Sequence, residues 1–244
     1  MSGPSILEVD LHVHSEASYD GHEPVELILE HTADIDHDVI SASLEAAERA
    51  PEYGLIGIPG GEVSTADGHL LGIGIEELPP AGRPVGETIA AVREAGGVAV
   101  VPHPFQRTRH GVRKRRLKRI DSDAIETYNA WLFTGYRNRR ARRYAARYGY
   151  PAVGGSDAHS LLTVGRAFTE IEVEPPIADV ESDDVVDAIR PGDTTIRGQR
   201  ASLKRCSSHY ARAAVRKTAW AGRTVLRKGS GGARRATSAV VPFR

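Results

Sequence analysis

At 244 residues and 40% hydrophobic content, the chain carries enough apolar material for one sizeable core with at most a small appendage. A single cysteine, Cys206, excludes an internal disulfide framework and a cysteine-rich zinc site. No apolar run approaches bilayer-spanning length, and MSGPSILEVD has no basic-then-apolar leader, so the expectation is a cytoplasmic protein with no membrane span. The formal net charge of +0 conceals strong segregation. Residues 1–106 hold 3 Lys/Arg against 19 Asp/Glu, and 107–150 hold 14 against 3. Residues 151–189 then hold 1 against 9, and 190–244 hold 14 against 1. An acidic block that contains most of the histidines suits cations, whereas the basic blocks suit phosphate or a nucleic-acid backbone.

In chain order, short apolar runs alternate with helical stretches, as in α/β architectures. Strands are expected at ILEVD (6–10), LIGI (55–58), LLGIGI (70–75), GVAVV (97–101), DAIET (123–127), PAVGG (151–155) and FTEIEV (168–173). Helices are expected after Pro24 and around Ser41, Gly86 and Tyr136, with Ser41 as an N-cap and Glu45 as a first-turn acid. The texture changes at Pro175. Residues 1–175 read as the main domain, 176–197 as a linker with a short acidic helix, and 198–244 as a basic extension whose Gly/Ser/Arg-rich end is expected to be mobile.

His12 and His14 in DLHVH follow an apolar strand, where alternation sends residues i and i+2 to the same face. Asp157 and His159 in GGSDAH repeat that spacing after another expected strand, at the strand ends where α/β folds assemble their sites. Either motif alone has a bland reading, as a chance histidine pair or a helix-capping loop. Two such pairs at two strand ends point to metal. Glu62, His69 and His103 stand at or near strand edges, and Pro102 and Pro104 hold His103 rigidly. Taken singly, His69 would more often be structural than a ligand. Asp20 and the pair Asp36 and His37 complete the set, although turns and caps use the same residues.

DLHVHSEASYDG, DHD, GGEVST with DGHLLGIG, VVPHPF and GGSDAH together resemble the polymerase and histidinol phosphatase (PHP) phosphoesterase family, over roughly residues 6–173. The resemblance implies a distorted seven-stranded β/α barrel, TIM-like, with two to three divalent metal ions, zinc, manganese or iron. It further implies that His12, His14, Glu62 and Asp157 hold one metal, and that Glu62 bridges to a second held by His69 and His103. Asp20, His37 and His159 would hold a third. Glu62, Asp157 and His103 are the residues expected to carry catalysis. Mixed imidazole and carboxylate ligation suits those metals better than calcium or magnesium. Paired dications lower the pKa of water and neutralise phosphoryl oxygens, so no serine or cysteine nucleophile is required. Two departures stand out. A strand-length block is missing between Ile35 and Asp36, so the barrel is expected to lack one strand and to misplace His37, and Gly61 stands before Glu62 where an apolar residue is usual.

Arg107 and Arg109 directly follow the His103 motif and are either substrate-phosphate clamps or solvated charges. RKRRLKR (113–119) and the stretch 137–148 are too basic to be core. On the second, Arg139, Arg143 and Arg147 share a helix face with Tyr144 and Tyr148 nearby, which reads as a solvated outer helix or a nucleic-acid face. The reading favoured by the whole sequence is metal-dependent hydrolysis of a small phosphomonoester of nucleotide or sugar phosphate type. Its rivals are a phosphodiesterase or exonuclease on nucleic acid and a catalytically weak PHP-fold binding module.

Overall fold

Backbone pairing sorts the strands of the described residues into two sheets. The computed structural model describes residues 4–15, 17, 24–29, 36–132 and 134–200, with the backbone alone for Leu27, Asp36 and His37. The strands are β1 Ser5–Val9, β2 Asp36–His37, β3 Gly60–Thr65, β4 Gly68–Ile73, β5 Val98–Val101, β6 Ala124–Asn129, β7 Ala152–Gly155, β8 Ala167–Val173 and β9 Thr194–Gly198. The helices are α1 Val25–Leu29, α2 Ser41–Arg49, α3 Val85–Glu94, α4 Lys114–Leu117, α5 Gly135–Tyr148 and α6 Ser182–Ile189. One sheet runs β2-β3-β4-β5-β6-β7, parallel except where β4 meets β3 and β5, and the other is the antiparallel trio β1-β8-β9. Among the described residues, pairing therefore gives two sheets and not the single closed barrel expected. Thr169 of β8 ties them, its hydroxyl accepting from the Gly154 N–H and donating to the Gly154 carbonyl, both at 2.9 Å.

Both faces of the larger sheet are apolar, as expected of strands covered on both sides. Alternation sends Leu71, Ile73, Val98 and Val100 into one core with Leu7, Ile171 and Ile189, against the smaller sheet and α6. Their neighbours Leu70, Ala99 and Val101 enter a second core with Ile89 and Val92 of α3 and Ala141 and Tyr144 of α5. The stretch after Pro175 is part of this architecture: its acidic segment forms α6, whose Val185, Val186 and Ile189 are buried, and its end forms β9 paired to β8. The described residues belong to one compact unit. No helix of the described residues is long and apolar enough to cross a membrane.

Two local readings are corrected. LIGI is not a strand, because Gly57 lies against the Ala47 backbone and Pro59 has no N–H to give, so pairing starts at Gly60. The N-cap of α2 is Ile40 with no side-chain cap, while the nearby Asp38 carboxylate accepts from the Ser64 N–H at 2.7 Å. The strand-length block expected to be missing before Asp36 falls on residues 30–35, outside the described residues; Asp36 and His37 form β2 at the edge of the larger sheet, pairing with Gly61 and Glu62. Gly61 is a mid-strand residue, paired to Asp36 on one side and to Gly72 on the other.

Candidate metal centre

The two i, i+2 motifs lie side by side. An isolated parallel bridge joins Val13 to Ala158, and the His14 N–H donates to the Ala158 carbonyl at 2.8 Å. This close approach needs Gly155, since a Cβ there would stand 2.6 Å from the His12 Cβ. His12, His14, Asp157 and His159 are thereby brought to one point, where Glu62 arrives from β3, His69 from β4 and His103 from the turn after β5. All seven are buried. His103 and Asp157 adopt positive φ, 28° and 52°, a strained backbone for side chains of that kind.

Glu62 is shared. Its Oε2 lies 3.5 Å from Nε2 of both His12 and His14, and its Oε1 lies 2.8 Å from His69 Nδ1 and 3.1 Å from His103 Nε2. Asp157 Oδ1 is 3.8 Å from His12 Nε2 and 3.5 Å from His14 Nε2. Donors around a tetrahedral cation with bonds near 2.0–2.2 Å are separated by roughly 3.3–3.6 Å, so the 3.5 Å spacings among His12, His14, Glu62 and Asp157 and their mixed donor set fit a divalent ion, while His69 and His103 stand at hydrogen-bond distance from Glu62. His12 Nε2 is buried with no hydrogen-bond partner among the described residues. Burial alone would lower the His12 pKa, but Asp157, Glu126 and Glu62 push it well above its ordinary value. That is the mark of a pocket with negative charge to spare. His103 is held low by burial. Four overlapping groups have donors within 4.8 Å of one another: His12, His14 and Glu62; Glu62, His69 and His103; His12, His103 and Asp157; His14, Asp157 and His159.

The other expected residues divide. Asp20 and the His37 side chain lie outside the described residues. Arg109 enters the centre, its Nη2 2.9 Å from Asp157 Oδ1 and 3.3 Å from His159 Nε2. Burial would raise the Asp157 pKa, but Arg109 first and His12 next hold it well below the ordinary range. Arg107 is exposed on the same short turn.

Sequence reading missed the residues behind the donors. Glu126 of β6 is buried, with Oε1 3.1 Å from His12 Nδ1 and Oε2 accepting the His103 N–H at 2.5 Å. Asn129 Nδ2 donates to Glu126 Oε2 at 3.0 Å and to Asp157 Oδ2 at 2.9 Å. In a regular strand these two residues, three apart, would face opposite ways; a bulge between Glu126 and Tyr128 turns both inward. Asn138 of α5 then clamps the Asn129 backbone, accepting its N–H at 3.2 Å and donating to its carbonyl at 3.0 Å. The rings of Trp131 and His110 stack on His159 and His69. Carboxylate support of this kind sets the tautomer of a ligating histidine, and its loss typically weakens metal affinity by about 10- to 100-fold. Glu126→Gln is expected to do so, as measured by competition with a chelator; unaltered affinity would remove Glu126 from this role.

Asp10, also overlooked, ties the two motifs, accepting the N–H groups of Ser156 at 2.9 Å and Gly165 at 3.0 Å. Burial raises its pKa from 3.8 to about 6 against these hydrogen bonds. The folded state therefore binds this proton more tightly than the unfolded chain, and stability falls as pH rises from about 4 through about 6. Two units correspond to roughly 3 kcal/mol. Urea unfolding of metal-free protein should show that slope in the wild type and a flatter one in Asp10→Asn. Equal slopes would refute it.

Fold and site together define an α/β protein with a buried imidazole–carboxylate centre suited to divalent metals. A family described as PHP-associated matches residues 135–194. An uncharacterized protein of Methanocaldococcus jannaschii is 30% identical over 181 residues, 70% of this chain and 74% of the relative. A two-domain Bacteroides vulgatus protein containing a predicted PHP-like metal-dependent phosphoesterase superposes with TM-score 0.64 at 16% identity, over 82% of this chain and 66% of that one. The lesion-specific endonuclease of Pyrococcus furiosus superposes with TM-score 0.53 at 18% identity, over 79% of this chain and 58% of that one. The chain belongs to the PHP domain family.

Proposed function

We propose that the protein is a metal-dependent hydrolase of phosphate esters acting on a small phosphomonoester. The observation that carries this reading is Glu62, whose two oxygens face separate histidine pairs, His12 with His14 and His69 with His103. Such a carboxylate would hold two cations side by side. When bound, paired dications acidify water and neutralise the oxygens of a phosphoryl group. The chain's own part is to fix that geometry. Asp157 and Glu62 supply the charge that retains the cations, Glu126 orients His12, and His103 is locked by its strained turn between two prolines. Arg107, exposed on the turn after His103, and Arg109, on release from Asp157, would meet a substrate phosphate. The metals would be zinc, manganese or iron, which imidazole and carboxylate together favour.

Exhaustive chelation of the purified protein is expected to abolish hydrolysis of an aryl phosphate, with recovery on adding back zinc, manganese or iron. Undiminished turnover in the chelated protein would sink the reading. A phosphodiesterase acting on nucleic acid is the second reading, favoured by the basic face of α5. Salt separates the two, because binding of a strand weakens steeply with ionic strength.

A further inference from the structure

Several described arginines outside the metal centre have a carboxylate partner. Arg49 pairs with Glu26 and Glu45, Arg93 with Asp123, Arg116 with Asp67, Arg190 with Asp187 and Arg197 with Glu170. The arginines on the outer face of α5 have none among the described residues. Arg140, Arg143 and Arg147, together with Lys114 of α4, line a groove of about 270 Å³ whose lining contains no carboxylate. Among the described residues, none of these four cations makes an ion pair with a carboxylate. The three arginines, at i, i+3 and i+7, follow one helix stripe over about 10 Å of axis. Arg143 and Arg147 of the stripe expected in the sequence line the groove, with Arg140 there in place of Arg139.

The remaining walls are aromatic. Tyr136 and Tyr148 are 54% and 44% exposed, an unusual outlay of ring surface in a lining otherwise made of charge. Arg140 stacks over Phe105 at 4.2 Å and Arg147 over Tyr148 at 5.7 Å. Phe105 lies two residues beyond His103, and its carbonyl accepts from Arg137 of α5, so the groove starts directly behind a wall of the metal centre. Cations spread over this length suit a ligand with several anionic groups in a row. The exposed rings require one that also carries flat faces. Guanidinium and aromatic groups interleaved in this way hold single-stranded nucleic acid, phosphates on the arginines and bases on the rings.

We propose that the α5 groove binds single-stranded nucleic acid. This goes beyond the hydrolase reading and stands whether or not the centre turns over a substrate. The test uses the full chain in chelator, so that any hydrolysis is stopped, with a fluorescein-labelled oligothymidylate of about 12 nucleotides followed by anisotropy. The triple variant Arg140→Glu, Arg143→Glu, Arg147→Glu should weaken binding at least tenfold. It should also flatten the log affinity against log salt slope by about 2, at roughly 0.7 per phosphate neutralised on a single strand. Tyr148→Ala should weaken binding about tenfold through lost stacking, with the salt slope unchanged. Should the charge reversal unfold the protein, as judged by circular dichroism, the glutamine triple variant and Tyr148→Ala decide the matter.

Three results would overturn the proposal. One is unchanged affinity in the triple variant, which would transfer binding to another basic stretch such as 198–244. Another is inorganic polyphosphate competing as well per charge while Tyr148→Ala has no effect, which would make the groove a general polyanion site. The third is no binding at low salt.

Discussion

Glu62→Gln is expected to cut kcat/KM for an aryl phosphate by a thousandfold or more and to lower the bound metal content, a greater loss than that of any single histidine variant. Each Glu62 oxygen faces a different histidine pair, so the carboxylate is common to both candidate cation positions. Glutamine keeps the shape, but it removes the negative charge and turns an NH2 group toward one pair. A thousandfold loss corresponds to about 4 kcal/mol of transition-state stabilisation, within what paired metals supply. Each of His12, His14, His69 and His103 faces only one of the two Glu62 oxygens, so loss of one leaves the shared carboxylate and its charge in place. Metal analysis beside steady-state kinetics is the check. Wild-type rate and metal content in Glu62→Gln would refute the shared carboxylate.

Arg109→Met is expected to destabilise the metal-free protein by about 3–5 kcal/mol, with saturating divalent metal restoring most of the loss. The Arg109 guanidinium contacts Asp157 Oδ1 at 2.9 Å, with side chains that are 10% and 0% exposed. Removing one member of a buried pair strands the other charge, and the cost of doing so falls in this range. The same guanidinium stands 3.3 Å from His159 Nε2, while the Nδ1 of that ring is 2.8 Å from the Asp157 carbonyl. With Nδ1 donating to that carbonyl, Nε2 has one lone pair, which can serve a guanidinium or a metal but not both. A dication at His14, Asp157 and His159 should therefore replace the missing charge in the variant. Urea unfolding with chelator and with saturating zinc measures both effects. If Arg109→Met matched the wild type in chelator, Arg109 would not be the counter-charge of Asp157.

What could be read along the chain was what depends on short spacing. The i, i+2 spacing marked His12 with His14 and Asp157 with His159 as donor pairs, although both pairs lie just beyond their strands and are joined by the isolated Val13–Ala158 bridge. The apolar runs marked most strands within a residue or two. The supporting residues had no such signal. Glu126 reaches His12 across a separation of 114 residues, and Asp10 reaches Ser156 across 146. Asn129 joins Glu126 on one side only because of a bulge that no residue pattern announced.

The sequence by itself determined the kind of donors this protein carries, the strand ends that bear them and the segregation of acidic from basic blocks, since each is a property of composition and local periodicity. Tertiary structure alone decided the division into two sheets, the recruitment of residues 194–198 as β9 and the stripe of α5 that lines the groove. It also decided that Arg109 turns to Asp157 while Arg107 stays in solvent. These outcomes depend on which buried charges must be paired and which apolar faces must be covered, and both are settled only when distant segments compete for the same interior.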